Sequence, residues 1–94
     1  MANKKILVID DDEAVAELVK LSLEATGKYE VITENRGSQG VAASKIARPD
    51  LILLDIFFPD IQGSEIASKL KALNSKPSYF LISLYGGLQM VSGR

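Results

Sequence analysis

The chain has 94 residues, of which 47% are hydrophobic and 24% charged, and its net charge at pH 7 is −1. This length predicts one domain, residues 1–94, around one core. The near-neutral charge provides no basic surface, so we expect no direct nucleic-acid partner. Cysteine and histidine are both absent, which excludes disulfides, thiol nucleophiles and typical zinc sites. Carboxylates, hydroxyls and lysines are left for chemistry.

The N-terminal residues do not resemble a targeting signal. They lead directly into a four-residue apolar stretch, which is too short for the core of a signal peptide. No apolar run approaches the roughly 20 residues of a membrane helix. We therefore expect a cytoplasmic protein without a membrane partner.

Short apolar runs alternate with longer amphipathic segments, a pattern typical of a parallel sheet covered by helices on both faces. Strands are predicted at residues 6–9, 29–33, 51–54 and 79–82, and the second, which is more polar, is expected at an edge. Helices are predicted at residues 13–26, from residue 38 to before Pro49, and after Gly63. The order βαβαβαβ and the right-handed crossover rule predict an α/β, doubly wound parallel sheet.

Caps and periodicity locate two of the helices. Asp12 is a candidate N-cap for the first helix and Ser64 for the third. In the third helix, hydrophobic residues spaced to form a buried stripe occur at three positions: Ile66, Leu70 and Leu73. In the first helix, small or apolar residues recur on one face: Val15, Leu18, Ser22 and Ala25.

Acidic residues directly follow two of the apolar runs. Asp10, Asp11 and Asp12 follow the first run, and Asp55 follows the third. Ligands of open parallel sheets gather beyond the carboxyl ends of the strands, so neighbouring strands would bring these carboxylates together. Mg²⁺, which prefers oxygen ligands, would offset their repulsion. Asp55, alone at its strand end, is the candidate nucleophile for phosphoryl transfer.

A simpler interpretation applies to each acidic position taken alone. Acidic residues are common at helix N-termini, where they complement the helix dipole, and this would account for Asp10, Asp11 and Asp12. Asp55 alone could begin a turn. The presence of both features, each directly after an apolar run, favours a functional site.

The residues after Asp55 add a more specific signal. A proline follows four positions later, at Pro59, and a glycine eight positions later, at Gly63. Together with the double acid, this spacing resembles the receiver domain of two-component response regulators, and the resemblance extends to Ser83. It implies a flavodoxin-like sheet and a phosphoryl group accepted on Asp55 from a sensor histidine kinase or phosphotransfer protein.

The resemblance also assigns roles to individual residues. It implies Mg²⁺ bound by Asp55, directly by Asp11, by Asp10 mainly through metal-bound water, and by the carbonyl of Phe57. Ser83 would supply the switch hydroxyl that bonds a phosphoryl oxygen. Without the family context, the favoured interpretation of Ser83 is a strand-terminal serine bonded to local backbone. The resemblance implies no enzyme activity beyond self-phosphorylation and self-dephosphorylation.

The chain departs from the family pattern after Ser83. We expect an incomplete, truncated sheet of strand order 2-1-3-4, without the fifth strand and last helices. The lysines near the predicted fourth strand, Lys69, Lys71 and Lys76, do not match the family's strand-end lysine. An uncovered fourth strand would be an open edge, which predicts a homo-oligomer formed through that strand or the tail.

Two other interpretations remain open at this stage. The chain could be a receiver remnant that folds or self-associates without phosphotransfer. Alternatively, the acidic run could be the motif of a haloacid-dehalogenase-type phosphatase with Asp10 as nucleophile. Ala14 stands where that family has threonine or valine, which disfavours the phosphatase.

Overall fold

The computed structural model describes residues 3–55, 63–72, 78–83 and 87–91, and its strands join in one sheet. The elements in chain order are β1 (Lys4–Ile9), α1 (Glu13–Glu24), β2 (Tyr29–Glu34), α2 (Gly37–Ala47), β3 (Leu51–Asp55), α3 (Gly63–Lys71), β4 (Ser78–Ser83) and β5 (Gly87–Val91).

The sheet has the order β2-β1-β3-β4-β5, and its first four strands are parallel. This confirms the predicted α/β fold, the order 2-1-3-4 and the edge position of β2. The first three strands are separated by helical connections, which parallel pairing requires. All four parallel strands therefore present their carboxyl ends at one edge of the sheet.

The fifth strand corrects the prediction that the sheet ends at β4. Gly87–Val91 pairs antiparallel with β4, from Ser83 opposite Gly87 to Tyr79 opposite Val91. Only three residues separate the two strands, and so short a connection permits an antiparallel neighbour but not a parallel one. β4 is thus flanked by β3 and β5 and is not an open edge.

Hydrophobic side chains alternate between the two faces of the sheet, as the two-residue period of a strand requires. One cluster joins the strands to α2 and α3 and contains Leu7, Ile9, Val41, Ile52, Leu54, Ile66 and Leu70. A second cluster joins β1 and β2 to α1 and contains Ile6, Val8, Ala16 and Val31. Helices therefore cover both faces.

The buried face of α1 differs from the face that the sequence pattern selected. Ala16 is buried, and Val19 and Leu23 pack beside it, whereas Leu18 is 65% exposed. The helix carries apolar residues on two adjacent faces, so periodicity alone did not identify the one that contacts the sheet. Asp12 caps this helix as predicted.

The predicted stripe of α3 is confirmed at Ile66 and Leu70, both fully buried. Leu73 lies outside the described residues. The helix begins at Gly63, which places Ser64 within its first turn. The prediction that Ser64 is the N-cap is therefore wrong.

Helix α2 approaches β1 closely at Gly40. A Cβ atom built on Gly40 would lie 2.6 Å from Ile9 Cδ1 and 2.9 Å from both Ile9 γ carbons. Ile9 is fully buried and directly precedes Asp10. A residue without a side chain at position 40 is thus what allows this packing beside the acidic segment.

No helix in the described part of the chain has the length and hydropathy needed to cross a membrane.

Candidate functional site

The strand register brings the two acidic segments to the same level of the sheet edge. Ile9 of β1 is paired with Leu54 of β3. Continuing this register by one residue places Asp10 beside Asp55, and adjacent strands are about 4.8 Å apart. The backbone pairing of β1 and β3 therefore places the two acidic segments next to each other, as predicted.

The turn between β1 and α1 is organised by its own carboxylates. Asp10 Oδ1 accepts a hydrogen bond of 2.9 Å from the Asp12 N–H. Asp12 Oδ1 in turn accepts bonds from the N–H groups of Ala14 and Val15, at 3.0 and 3.1 Å. Asp12 thus caps the helix, as its residue type favours. Asp10 and Asp11 are the two acids of the run that remain candidates for binding a cation.

Two contacts with the end of β2 hold the backbone of Asp10. Its N–H donates to the Glu34 carbonyl at 3.0 Å. Its carbonyl accepts a 3.2 Å bond from Asn35 Nδ2, which is partly buried. Sequence reasoning did not identify Asn35. Its position could have indicated a role in the site, because Asn35 directly follows the second predicted strand and so lies at the edge where ligands of parallel sheets gather.

The chemistry of this edge suits a hard divalent cation. Asp10 is partly exposed and Asp11 is exposed, so water reaches both residues. Mg²⁺ prefers oxygen ligands and retains several waters, which requires such access. Within the described residues, no three acidic side chains form a group that could hold a metal. The side chain of Asp55 is not among those described.

The other predicted site residues are located to different extents. Asp55 is the last residue of β3 and pairs with Ile82, so Ser83 at the end of β4 lies one residue further along the same edge. The side chain of Ser83 is outside the described part of the structure, and Phe57 lies outside the described residues entirely. Their roles as switch hydroxyl and metal ligand remain predictions.

The two lysines of this region that the structure describes, Lys69 and Lys71, both lie on α3. Lys69 Nζ lies 3.7 Å from Glu65 Oε2 on the surface of α3, and both side chains are more than half exposed. Such an exposed pair contributes little to stability. Lys71 ends α3, and Lys76 lies outside the described residues. The sequence of β5 contains no lysine.

Comparison with known sequences agrees with this architecture. The family model of the response regulator receiver domain matches residues 6–92. The alkaline phosphatase synthesis transcriptional regulatory protein PhoP of Bacillus subtilis is 41% identical over 69 residues, which are 73% of this chain and 28% of PhoP. The DNA-binding response regulator MtrA of Mycolicibacterium smegmatis is 32% identical over 90 residues, 96% of this chain and 39% of MtrA.

Solved structures show the same fold. A CheY-like receiver domain protein from Methanospirillum hungatei has a TM-score of 0.84 and 31% identity, covering 92% of this chain and 68% of its own. The response regulator TrrA from Thermotoga maritima, solved in complex with Mg²⁺-BeF, has a TM-score of 0.81 and 32% identity over 88% of this chain and 71% of its own. The present chain spans less than two fifths of PhoP and MtrA.

Proposed function

Because the chain belongs to the response regulator receiver domain family, we propose that it accepts a phosphoryl group on Asp55 in two-component signal transduction. The observation that carries the proposal is the register of β1 and β3, which aligns Asp10 with Asp55. The donor would be a phosphohistidine of a sensor histidine kinase or phosphotransfer protein in the cytoplasm. The DNA-binding role named for MtrA belongs to that longer protein.

For phosphoryl transfer, the chain mainly has to position the reacting groups and to stabilise the charge on the transferring phosphoryl group. A carboxylate oxygen of Asp55 forms a bond to phosphorus while the bond from phosphorus to the donor nitrogen breaks, which gives an acyl phosphate and leaves the electron pair on the donor. Mg²⁺ would be held by Asp10, Asp11, Asp55 and the Phe57 carbonyl. The ion would neutralise charge on the transferring group. Ser83, one residue beyond the level of Asp55, would donate its hydroxyl to a phosphoryl oxygen.

The family match favours this function over the phosphatase interpretation with Asp10 as nucleophile. Hydrogen bonds to the N–H, the carbonyl and Oδ1 of Asp10 also hold this residue within the turn between β1 and α1. A receiver remnant without phosphotransfer is the remaining alternative. That alternative predicts a folded protein that binds Mg²⁺ but forms no acyl phosphate.

We expect incubation with a small acyl-phosphate donor and Mg²⁺ to add one phosphoryl group, detected by intact mass. Asp55→Asn should abolish the adduct because it removes the nucleophilic carboxylate. Asp50→Asn is the matched control, since Asp50 lies at the opposite end of β3, where its carboxylate accepts the Lys5 N–H at 2.8 Å. An adduct that survives Asp55→Asn, or no adduct on folded wild-type protein, would contradict the proposal.

We expect Asn35→Ala to weaken Mg²⁺ binding by about two- to tenfold, the equivalent of one net hydrogen bond of roughly 0.5–1.5 kcal/mol. The reason is that Asn35 holds the carbonyl of Asp10 and so restricts the turn that presents Asp10 and Asp11. Isothermal titration calorimetry would measure the affinity. Gln39→Ala, at an exposed position of α2, is the control. Equal affinities for Asn35→Ala and wild type would remove Asn35 from the site.

A further inference from the structure

Strand β2 forms one end of the sheet, and its backbone N–H and C=O groups point to two sides. On one side β2 pairs with β1 along its whole length. The carbonyl of Glu34 points towards β1, because it accepts the Asp10 N–H. The backbone groups of successive residues in a strand point to opposite sides, so those of Tyr29, Val31 and Thr33 point away from β1. These three residues therefore form the outer edge of β2.

The outer edge of β2 has the features of a template for another strand. Tyrosine, valine and threonine are residue types that favour strands. Among the described strands, only β1 pairs with β2, and β2 lies within the chain between α1 and α2. An edge strand with free N–H and C=O groups can accept a strand from another molecule. Whatever occupies these groups therefore decides whether the edge is available.

A side chain of α1 occupies the central N–H group of this edge. The Val31 N–H donates to Glu24 Oε2 at 3.1 Å in a partly buried hydrogen bond. Glu24 is the last residue of α1, and its carbonyl accepts the Gly27 N–H at 3.0 Å. That second bond belongs to the turn that leads from α1 into β2. Both bonds of Glu24 thus tie the end of α1 to the strand that follows it.

The place of Glu24 in its helix shows that the bond to Val31 matters. A negative charge near the C-terminal end of a helix is disfavoured by the helix dipole. The last turn of α1 contains no basic residue. A carboxylate oxygen is a strong acceptor for a backbone N–H, so the bond to Val31 offsets this cost.

We propose that the Glu24 side chain blocks strand addition at the outer edge of β2. Its carboxylate oxygen takes the N–H group that an incoming strand would bond at the middle of the edge. This role goes beyond the proposed phosphoacceptor function. It does not involve Asp11 or Asp55, and its test does not depend on phosphorylation.

Amide hydrogen exchange measured by NMR tests the local contact. In dilute Glu24→Ala, the Val31 amide should exchange about tenfold faster than in wild type, because its bond to a charged acceptor is lost. Glu24→Gln should keep most of the protection, since the amide oxygen of glutamine can accept the same bond. Glu17→Ala is the matched control, because it removes the same charge at an exposed position of α1.

Sedimentation velocity tests the consequence, at concentrations where circular dichroism shows that every variant is folded. Glu24→Ala should shift to larger sedimentation coefficients as its concentration rises, and the wild type, Glu24→Gln and Glu17→Ala should not show this shift. In the associated Glu24→Ala sample, the Val31 amide should be protected again, because it is bonded in the new strand pair.

Three results would overturn the proposal. The first is a Glu24→Ala variant that associates no more than Glu17→Ala, whatever the exchange rate of Val31. The second is association in which the Val31 amide still exchanges fast, since the contact would then use another surface. The third is a Glu24→Gln variant that associates as strongly as Glu24→Ala, because the lost charge and not the hydrogen bond would then be the cause.

Discussion

Leu70→Ala is expected to lower the free energy of unfolding by about 2–5 kcal/mol. Leu70 is fully buried in the cluster that joins α3 to β3, with Ile52, Leu54 and Ile66 around the same core. The substitution removes most of the side chain, so less apolar surface is buried on folding and a cavity is left in a close-packed interior. Domains of this size have a stability of roughly 5–15 kcal/mol, so the loss is a large fraction of the total.

Urea unfolding followed by circular dichroism would measure this change. Leu18→Ala is the matched control, since it makes the same deletion in a helix but at a side chain that is 65% exposed. Its effect should lie within about 0.5 kcal/mol of wild type. Equal losses for the two variants would mean that Leu18 and Leu70 are equally buried, which contradicts the packing described here.

Gly40→Ala is expected to destabilise the protein by about 1–3 kcal/mol, as overpacking of a core does. The new methyl group would lie within 3 Å of three Ile9 side-chain atoms, two of which are attached near the backbone and cannot swing away. The higher helix propensity of alanine, worth about 1 kcal/mol, opposes this loss. The packing term is larger because α2 or β1 must move to relieve the contact.

The mechanism is tested by a double-mutant cycle with Ile9→Val, which removes the δ methyl that a Cβ would approach most closely. The Gly40→Ala loss should shrink by at least about 0.5 kcal/mol in the Ile9→Val background, because the two positions are in contact. Chemical denaturation would measure all four proteins. A Gly40→Ala variant more stable than wild type would show that helix propensity outweighs the packing at this position.

The residues nearest the acidic site depend on this packing. Ile9 directly precedes Asp10, and a displaced Ile9 would shift the turn in which Asp10 Oδ1 accepts the Asp12 N–H. If the phosphoacceptor proposal holds, Gly40→Ala should therefore slow phosphorylation even at temperatures where the variant is fully folded.

The alignment of the two acidic segments was predictable because it follows from local patterns. An apolar run that ends in acid marks the carboxyl end of a buried strand, and parallel strands place such ends together. That is why Asp10 and Asp55 are level in the register. Asn35 was not predictable in the same way, because its contact with the Asp10 carbonyl joins residues 25 positions apart and leaves no periodic signal.

The amino-acid sequence by itself determined the α/β class, the Asp12 cap and the buried positions Ile66 and Leu70, because these features depend on residue type and on spacing within single segments. The order of the four parallel strands was expected only from the resemblance to receiver domains, since strand order depends on contacts between distant segments. Tertiary structure decided which face of α1 is buried, since apolar residues occupy two faces and only the packed sheet selects Ala16 over Leu18. It also decided that Gly87–Val91 is a strand, because β4 supplies the hydrogen-bond partners that so short a segment lacks alone.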